Sequence, residues 1–269
     1  MRLSIIVVNY NSRQYLRKCL DSVRSSIFFE PFEIIVVNSD EDKLGQNDLG
    51  AVENSICRQK IIEVNKNFGF GKSSNIGARE AQGQLLMFLN PDTIMEAATL
   101  KALVAAFANN KDAAVVSPLI LWPDGRIQAW QFGKKKSPAR MIYSKIIFRD
   151  RCGQKKGQDF IETDWVSGTA LAVRREAYDK AGGFDENYFM YFEDVDLCLQ
   201  IRQLGYKVLV GMKSNVYHYS GQSFTQEKQK KMHYYKSQRY YFQKNYGWLG
   251  ALVVGLARFP YYFKNVLLK

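Results

Sequence analysis

The chain has 269 residues, of which 46% are hydrophobic and 24% charged, and a net charge of +12. That balance excludes wholesale disorder and allows a sizeable core, in one large domain or in a domain with an appendage. Four cysteines without a C-x-x-C pair and only two histidines exclude a conventional zinc cluster and fit reduced thiols in a cytosolic protein.

In chain order, "LSIIVVN" at 3–9 is too short and too soon interrupted for a signal peptide, and reads as a first strand. A helix is predicted over 13–25, then strands at 32–38 ("FEIIVVN") and 60–65 ("KIIEVN"). A helix at 72–82, a strand at 84–90 ("QLLMFLN"), a helix at 96–109 and a strand at 113–118 ("AAVVSP") follow. Short β-branched runs separated by helices predict an α/β fold with a mainly parallel sheet covered on both faces. Ligands of such sheets lie at the carboxyl ends of the strands. Every strand here ends in polar groups: Asn9-Tyr10-Asn11, Asn38-Ser39-Asp40, residues 65–67 and Asn90-Pro91-Asp92.

The segment "VNKNFGFGKSSNIG" at 64–77 has the look of a phosphate loop, but the spacing fails. A Walker motif needs glycine where Lys66 stands, and a dinucleotide fingerprint needs it where Ser74 stands. What remains is a strand, a flexible turn and a helix start suited to the approach of some nucleotide. Beyond Pro118 the pattern changes. "WPDG" predicts a hairpin turn at Asp124-Gly125, and the Lys, Arg and Gly of 133–157 suggest either a mobile loop over a site or a solvated connection. A strand, a short helix, a Gly-Gly turn, an aromatic stretch, a helix from about Asp194 and a final strand follow.

Three groups could carry chemistry. Asp92 in "FLNPDT" could bridge a hard cation to a diphosphate, or could cap the helix expected at 96. Glu193, Asp194 and Asp196 gather at a helix start, where the dipole favours an ionised carboxylate fit to act as a base; capping is again the alternative. Phe189, Tyr191 and Phe192 just before them suit the lining of a sugar pocket. His218 in "NVYHYSG" follows another strand, as a metal ligand or a hydrogen-bonded structural residue.

The tail, 224–269, holds nine Lys or Arg against Glu227 alone, so it is expected to meet something anionic. Its longest apolar run, about nine residues before Arg258 and Pro260, falls well short of the roughly 20 needed to span a bilayer. With Tyr234, Tyr235, Tyr240, Tyr241, Trp248, Tyr261 and Tyr262, it suits an amphipathic segment in an anionic lipid interface. A helical pair capping the core or a dimer contact is the alternative. Nucleic acid is not expected, because the aromatics cluster with aliphatic runs.

The order "SIIVVNYNS", "NFGFGKSSNIG", "FLNPDT", "DWVSGTALAVRREAYDKAGGFDENYFMYFEDVDLCL" and "YHYSG" resembles glycosyltransferase family 2, especially its rhamnosyltransferase-like branch, over about residues 2–225. The resemblance implies the GT-A fold and transfer, with inversion, from a nucleotide-diphosphate sugar to a glycan or lipid-linked acceptor in cell-surface polysaccharide synthesis. Carried over, it makes Asp92 the metal-binding acid, with Asn90 in place of a first acid, His218 a second ligand for Mg2+ or Mn2+, and Asp194 the catalytic base. Asn9, Tyr10, Asn38 and Asn75 would hold the nucleoside, and Trp165, Gly168, Glu193 and Asp196 the acceptor. Two positions depart from the family: Asn38 stands where it has Asp, and Gln200 where it has Arg, so an anion contact there has moved to Arg202 or vanished.

The expected organisation is a catalytic domain over 1–225, with a nucleotide-sugar half at 1–118 and an acceptor half at 119–225 whose loop at about 133–160 is mobile. A helical segment at 226–269 follows, and the expected location is the cytoplasmic face of the cell membrane. The competing readings are a noncatalytic sugar-nucleotide or glycan-binding module of the same fold and a sugar-phosphate nucleotidyltransferase.

Overall fold

A computed structural model of the chain describes residues 2–50, 56–143, 158–219, 227–263 and 266. In chain order the elements are β1 (Leu3–Asn9), α1 (Arg13–Arg24), β2 (Phe32–Asn38), α2 (Gln46–Leu49), β3 (Cys57–Glu63), α3 (Phe70–Glu80), β4 (Leu85–Leu89) and β5 (Thr93–Met95). Next come α4 (Thr99–Asn109), β6 (Ala113–Leu121), β7 (Phe132–Gly133), α5 (Pro138–Tyr143), β8 (Phe160–Thr163), β9 (Trp165–Val166) and β10 (Ala170–Arg174). The chain closes with α6 (Arg175–Lys180), α7 (Glu193–Gln203), β11 (Lys207–His218) and α8 (Glu227–Tyr262).

One sheet carries the molecule, in the order β3-β2-β1-β4-β10-β6-β11-β5, with β8 alongside β11. β1, β2, β3 and β4 run parallel, β10 enters antiparallel between β4 and β6, and β11 runs parallel to β6. The central strands read as unbroken apolar runs because helices cover both of their faces. Ile5, Val7, Ile34 and Val36 pack with Leu16, Leu20 and Val23 of α1 on one side. Ile6, Ile35 and Val37 pack with Ala78 of α3 on the other, together with the aromatic group Phe88, Tyr178 and Phe184.

The structure corrects several boundaries. The helix expected from 96 begins at Thr99, and Thr93–Met95 forms a short strand paired antiparallel with β11 in the register His218↔Thr93. The tertiary partner supplied by β11 outweighs the helical tendency of that stretch. Part of the expected mobile loop is regular structure, at Phe132–Gly133, Pro138–Tyr143 and Phe160–Thr163; its remainder, 144–157, lies outside the described residues. The turn at Asp124-Gly125 forms as expected, with Gly125 at φ 82° and Trp122 N–H donating to Arg126 O at 2.8 Å.

The glycines of the 64–77 segment serve close packing. Gly69 has φ 84°, and a Cβ there would sit 2.0 Å from Phe189 O; a Cβ on Gly77 would sit 2.5 Å from Ile6 Cγ2. They let α3 lie against β1 and against the aromatic stretch at 189–192.

The tail is one helix bent at Gly247 (φ 71°), giving two arms, 227–246 and 248–262. The first arm docks. Tyr241 and Phe242 are fully buried, Ser237 Oγ donates to Met190 O, and Lys244 and Asn245 reach the buried Asp196 at 2.7 and 2.8 Å. The second arm buries Gly250 and Val254 but leaves Trp248 69% and Leu256 68% exposed, with Leu249, Leu252 and Phe259 also facing outward. Among the described residues no helix is long and apolar enough to cross a membrane.

Candidate functional site

The register of β5 with β11 sets residue 92 beside residues 218 and 219, and Tyr219 N–H donates to Asp92 O at 3.0 Å. Asp92 and His218 are both buried, and His218 Nε2 lies 3.3 Å from Asp92 Oδ1. Because α4 begins seven residues beyond it, Asp92 caps no helix. Gln128 fixes the imidazole: its Nε2 donates to His218 O at 2.7 Å, leaving Oε1 to accept from His218 Nδ1 at 3.0 Å. With Nδ1 donating to Gln128, a ring without a second proton would turn the lone pair of Nε2 toward a carboxylate oxygen. Two acceptors set face to face in a buried place suit a cation between them. Among the described residues no three His, Cys, Asp or Glu side chains group as metal ligands. Were Asp92 and His218 to hold a divalent ion, they would supply only part of its shell, as is usual for Mg2+ at phosphate-binding sites.

The second group stands at the start of α7. Tyr191 (φ 71°) and Phe192 (φ 69°) are consecutive residues in the left-handed region, a conformation that costs an aromatic residue on the order of 1–3 kcal/mol and concentrates at functional sites. This bend delivers Glu193 and Asp194. Asp194 Oδ2 accepts Gly168 N–H and its Oδ1 accepts Val195 N–H, both at 2.8 Å. Burial pushes the Asp194 carboxyl above its ordinary range, while those backbone donors and the charge of Lys136 pull the other way. Glu193 is displaced further upward by burial and by the charge of Asp194, and its Oε2 is buried with no hydrogen-bond partner among the described residues. A Cβ at position 168 would approach Phe70 Cε1 to 2.9 Å, so a larger residue there would displace the Phe70 ring beside Asp194.

A cavity of about 970 Å³ joins these groups. Of the expected site residues, Tyr10, Asn90, Asp92, Trp165, Gly168, Glu193, Asp194 and His218 line it. Asn9, Asn38, Asn75 and Asp196 do not, and each has a structural cause. Asn75 is spent on the turn after α6: its Nδ2 donates to Phe184 O and Glu186, and its Oδ1 accepts Tyr178 O–H and Phe184 N–H. Asp196 holds the first arm of α8. Asn9 Nδ2 donates to Asn38 Oδ1 and Asp40 Oδ2, while Asn38 Nδ2 donates to Glu63 and Asp42 O. The carboxylate at this strand end is therefore Asp40, two residues past Asn38. Arg202 turns to Asp164 at 3.0 Å and is no substitute at the cavity for the arginine missing at Gln200.

Sequence reasoning missed Gln128, Trp130 and Lys136, which line the cavity from the segment after the hairpin. Lys136 Nζ lies 4.5 Å from the Trp165 ring centroid and 5.6 Å from that of Trp130. Their only sequence signal was a basic, aromatic stretch without periodicity.

Residues 4–182 match the family model described as Glycosyl transferase family 2. Among curated proteins, the chain is 24% identical to y4gI of Sinorhizobium fredii, covering 82% of this chain and a quarter (25%) of that one. It is 26% identical to the rhamnosyltransferase WbbL of Escherichia coli K12, over 80% of this chain and 83% of WbbL. It is 24% identical to the N-acetylglucosaminyl-diphospho-decaprenol L-rhamnosyltransferase of Mycobacterium tuberculosis, over 82% and 77%. Among solved structures, S. aureus TarS 1–349 in complex with UDP-GlcNAc aligns over 100% of this chain and 74% of its own, at TM-score 0.58 and 18% identity. The mannosyltransferase PcManGT of Pyrobaculum calidifontis, in complex with GDP-Man and Mn2+, aligns over 90% and 63%, at TM-score 0.59 and 16% identity. These structures share the GT-A fold with this chain.

Proposed function

The chain belongs to glycosyltransferase family 2, and on that premise we propose that it moves a sugar from a nucleotide-diphosphate donor to an acceptor hydroxyl with inversion at the anomeric carbon. The observation that carries this reading is the convergence of Asp92, His218 and Asp194, distant in the chain, on a common cavity. Asp92 and His218 Nε2 would hold a divalent cation against the donor diphosphate. When bound, that cation offsets the charge developing on the departing nucleoside diphosphate. The remaining chemistry belongs to the chain.

Asp194 accepts the proton of the acceptor hydroxyl as that oxygen bonds to the anomeric carbon and the bond to the diphosphate oxygen breaks, a single displacement. Its partial burial strengthens it as a base, and the amides of Gly168 and Val195 keep it aimed and ionisable. Tyr10, which lines the cavity just past the end of β1, receives the nucleoside. Trp165, stacked beneath Lys136, offers an aromatic face to the acceptor. The named relatives point to rhamnose as the sugar and to a lipid-linked glycan as the acceptor. The outward apolar face of the second α8 arm, on a tail of high positive charge, rests on an anionic membrane surface while the site works.

A panel of nucleotide-diphosphate sugars that includes dTDP-rhamnose, scored by nucleoside diphosphate release with and without EDTA, tests the reading. Release with one donor, abolished by EDTA and restored by Mg2+ or Mn2+, is expected. Binding of donors without turnover under any metal would leave a sugar-nucleotide-binding module instead.

A further inference from the structure

Trp130 lines the cavity yet is 79% exposed, and its backbone lies in the left-handed region at φ 66°. A tryptophan so placed costs energy twice, in backbone sterics and in apolar surface left in water. The turn nevertheless holds it there firmly. Gln131, buried, accepts Ile120 N–H at 2.7 Å through Oε1 and donates from Nε2 to Ile120 O and Gln128 O, both at 2.9 Å. Gln128 N–H donates to Ile120 O at 2.9 Å, and Ser167 N–H donates to Gln131 O at 2.7 Å. The residues flanking Trp130 are thus tied to β6 and to the segment that leads to Gly168, whose amide meets Asp194. A second ring lies deeper. Trp165 is 6% exposed, lines the same cavity three residues before Gly168, and donates from Nε1 to Lys134 O at 3.1 Å. Lys136 Nζ reaches both rings, 4.5 Å from the centroid of Trp165 and 5.6 Å from that of Trp130. Their separation cannot exceed those two distances laid end to end, a span comparable to two linked pyranose rings. From the proposed base out to solvent the order is Asp194, Trp165, Trp130.

We propose that Trp130 is a distal glycan subsite: its ring stacks on the sugar next beyond the one whose hydroxyl is extended, so the acceptor is at least a disaccharide. A pyranose presents a face of C–H groups bordered by hydroxyls. An indole face set among polar neighbours, Gln128 and Lys136, matches that pattern, whereas an alkyl chain calls for a closed apolar groove. The nucleoside, received at Tyr10 past the end of β1, lies away from this turn, because β4 and β10 separate β1 from β6. The subsite rests on the reading of Asp194 as the base, since that reading makes the Trp165 side the acceptor side.

The full chain has four tryptophans, so labelling with 5-fluorotryptophan gives a short fluorine NMR spectrum in which Trp130→Tyr assigns the signal of that ring. Titration with cellobiose, maltose and chitobiose, against the methyl glycosides of glucose and N-acetylglucosamine, tests the subsite without turnover. At least one disaccharide should shift the Trp130 signal and bind about five- to ten-fold more tightly than its monosaccharide. Trp130→Gly removes the ring and relieves the left-handed backbone, so it should abolish that advantage with little change in melting temperature. Trp130→Tyr should keep part of the advantage. Trp122→Ala, which removes an exposed ring that does not line the cavity, should keep all of it. No shift with any of the three disaccharides, equal losses of mono- and disaccharide binding in Trp130→Gly, or a shift of the Trp130 signal by UDP or dTDP alone would overturn the subsite. Transfer to monosaccharide acceptors as efficient as to disaccharides would sink it while leaving Asp194 as the base. Disaccharide binding at Trp130 with no transfer from any donor would keep the glycan site and remove sugar transfer.

Discussion

The wall bearing Asp92 and His218 is cut from strand ends whose neighbours are fixed by backbone register, whereas the wall bearing Asp194 is gathered from a turn, a helix start and a bent tail helix. In the first wall, side chains inherit their places from hydrogen-bonded backbone, so a substitution there should act more on chemistry than on stability. In the second, cavity-lining groups and packing groups interleave: Asp194 is the proposed base, and Asp196, two residues on, holds a helix dock. Function and stability should therefore separate better on one side of the cavity and mix on the other.

The sharpest break in that comparison is Asp194→Asn, which keeps the size but loses the base and one of the two amide contacts, since a carboxamide nitrogen cannot accept an N–H. Turnover should fall by about 10²–10⁴-fold with donor affinity little changed, as read by product release and nucleotide titration, and the backbone amide left unpaired should cost about 1–3 kcal/mol of stability. A large loss of donor affinity would move Asp194 to the donor side. Gln128→Leu frees the His218 ring on the first wall and should weaken metal activation about 10–100-fold, measured as the metal concentration giving half-maximal rate, while the His218 groups left unpaired cost about 1–3 kcal/mol of stability. Asp196→Ala tests the dock. It should cost about 1–3 kcal/mol in urea unfolding, less than loss of one partner of a fully buried pair, because Lys244 is part-exposed and keeps Asp185.

The smallest effect is electrostatic. Burial and the Asp194 charge hold the Glu193 proton to higher pH in the folded chain than in the unfolded one. Through the interval between those two values the folded state carries more protons, so stability falls as pH rises. Glu193→Gln abolishes that loss, and its melting temperature should exceed that of the parent at about pH 8 but not at about pH 4. An equal gain at both pH values would mean that packing, not charge, limits this position.

Much of the first wall was legible because parallel strands announce themselves as apolar runs, and the polar residues closing each run had to lie at one edge. Asp92 stood out on that account, yet its alternative as a helix cap fell only when β5 was seen, since a three-residue strand has no period and takes its identity from β11. Asn75 illustrates the reverse. An asparagine beside glycines reads the same whether it meets a ligand or latches a turn, and here its four hydrogen bonds go to the turn. Nothing in "MYFED" announces left-handed backbone at two aromatic residues, because such residues adopt it only under tertiary constraint. Of the tail's two readings, packing against the core is seen in the first arm, which docks; the second arm turns an apolar face outward, and its contact with a membrane is a proposal.

The place of β10 has a consequence for how the protein is made. Leu85–Leu89 and Ala113–Leu121 leave the ribosome well before Ala170–Arg174, the strand that fills the space between them. Through that stretch of synthesis the nascent chain presents two hydrophobic strands with open edges, a template for pairing with other chains. A holdase that covers those edges until β10 emerges should raise soluble yield more than any adjustment of the purified enzyme.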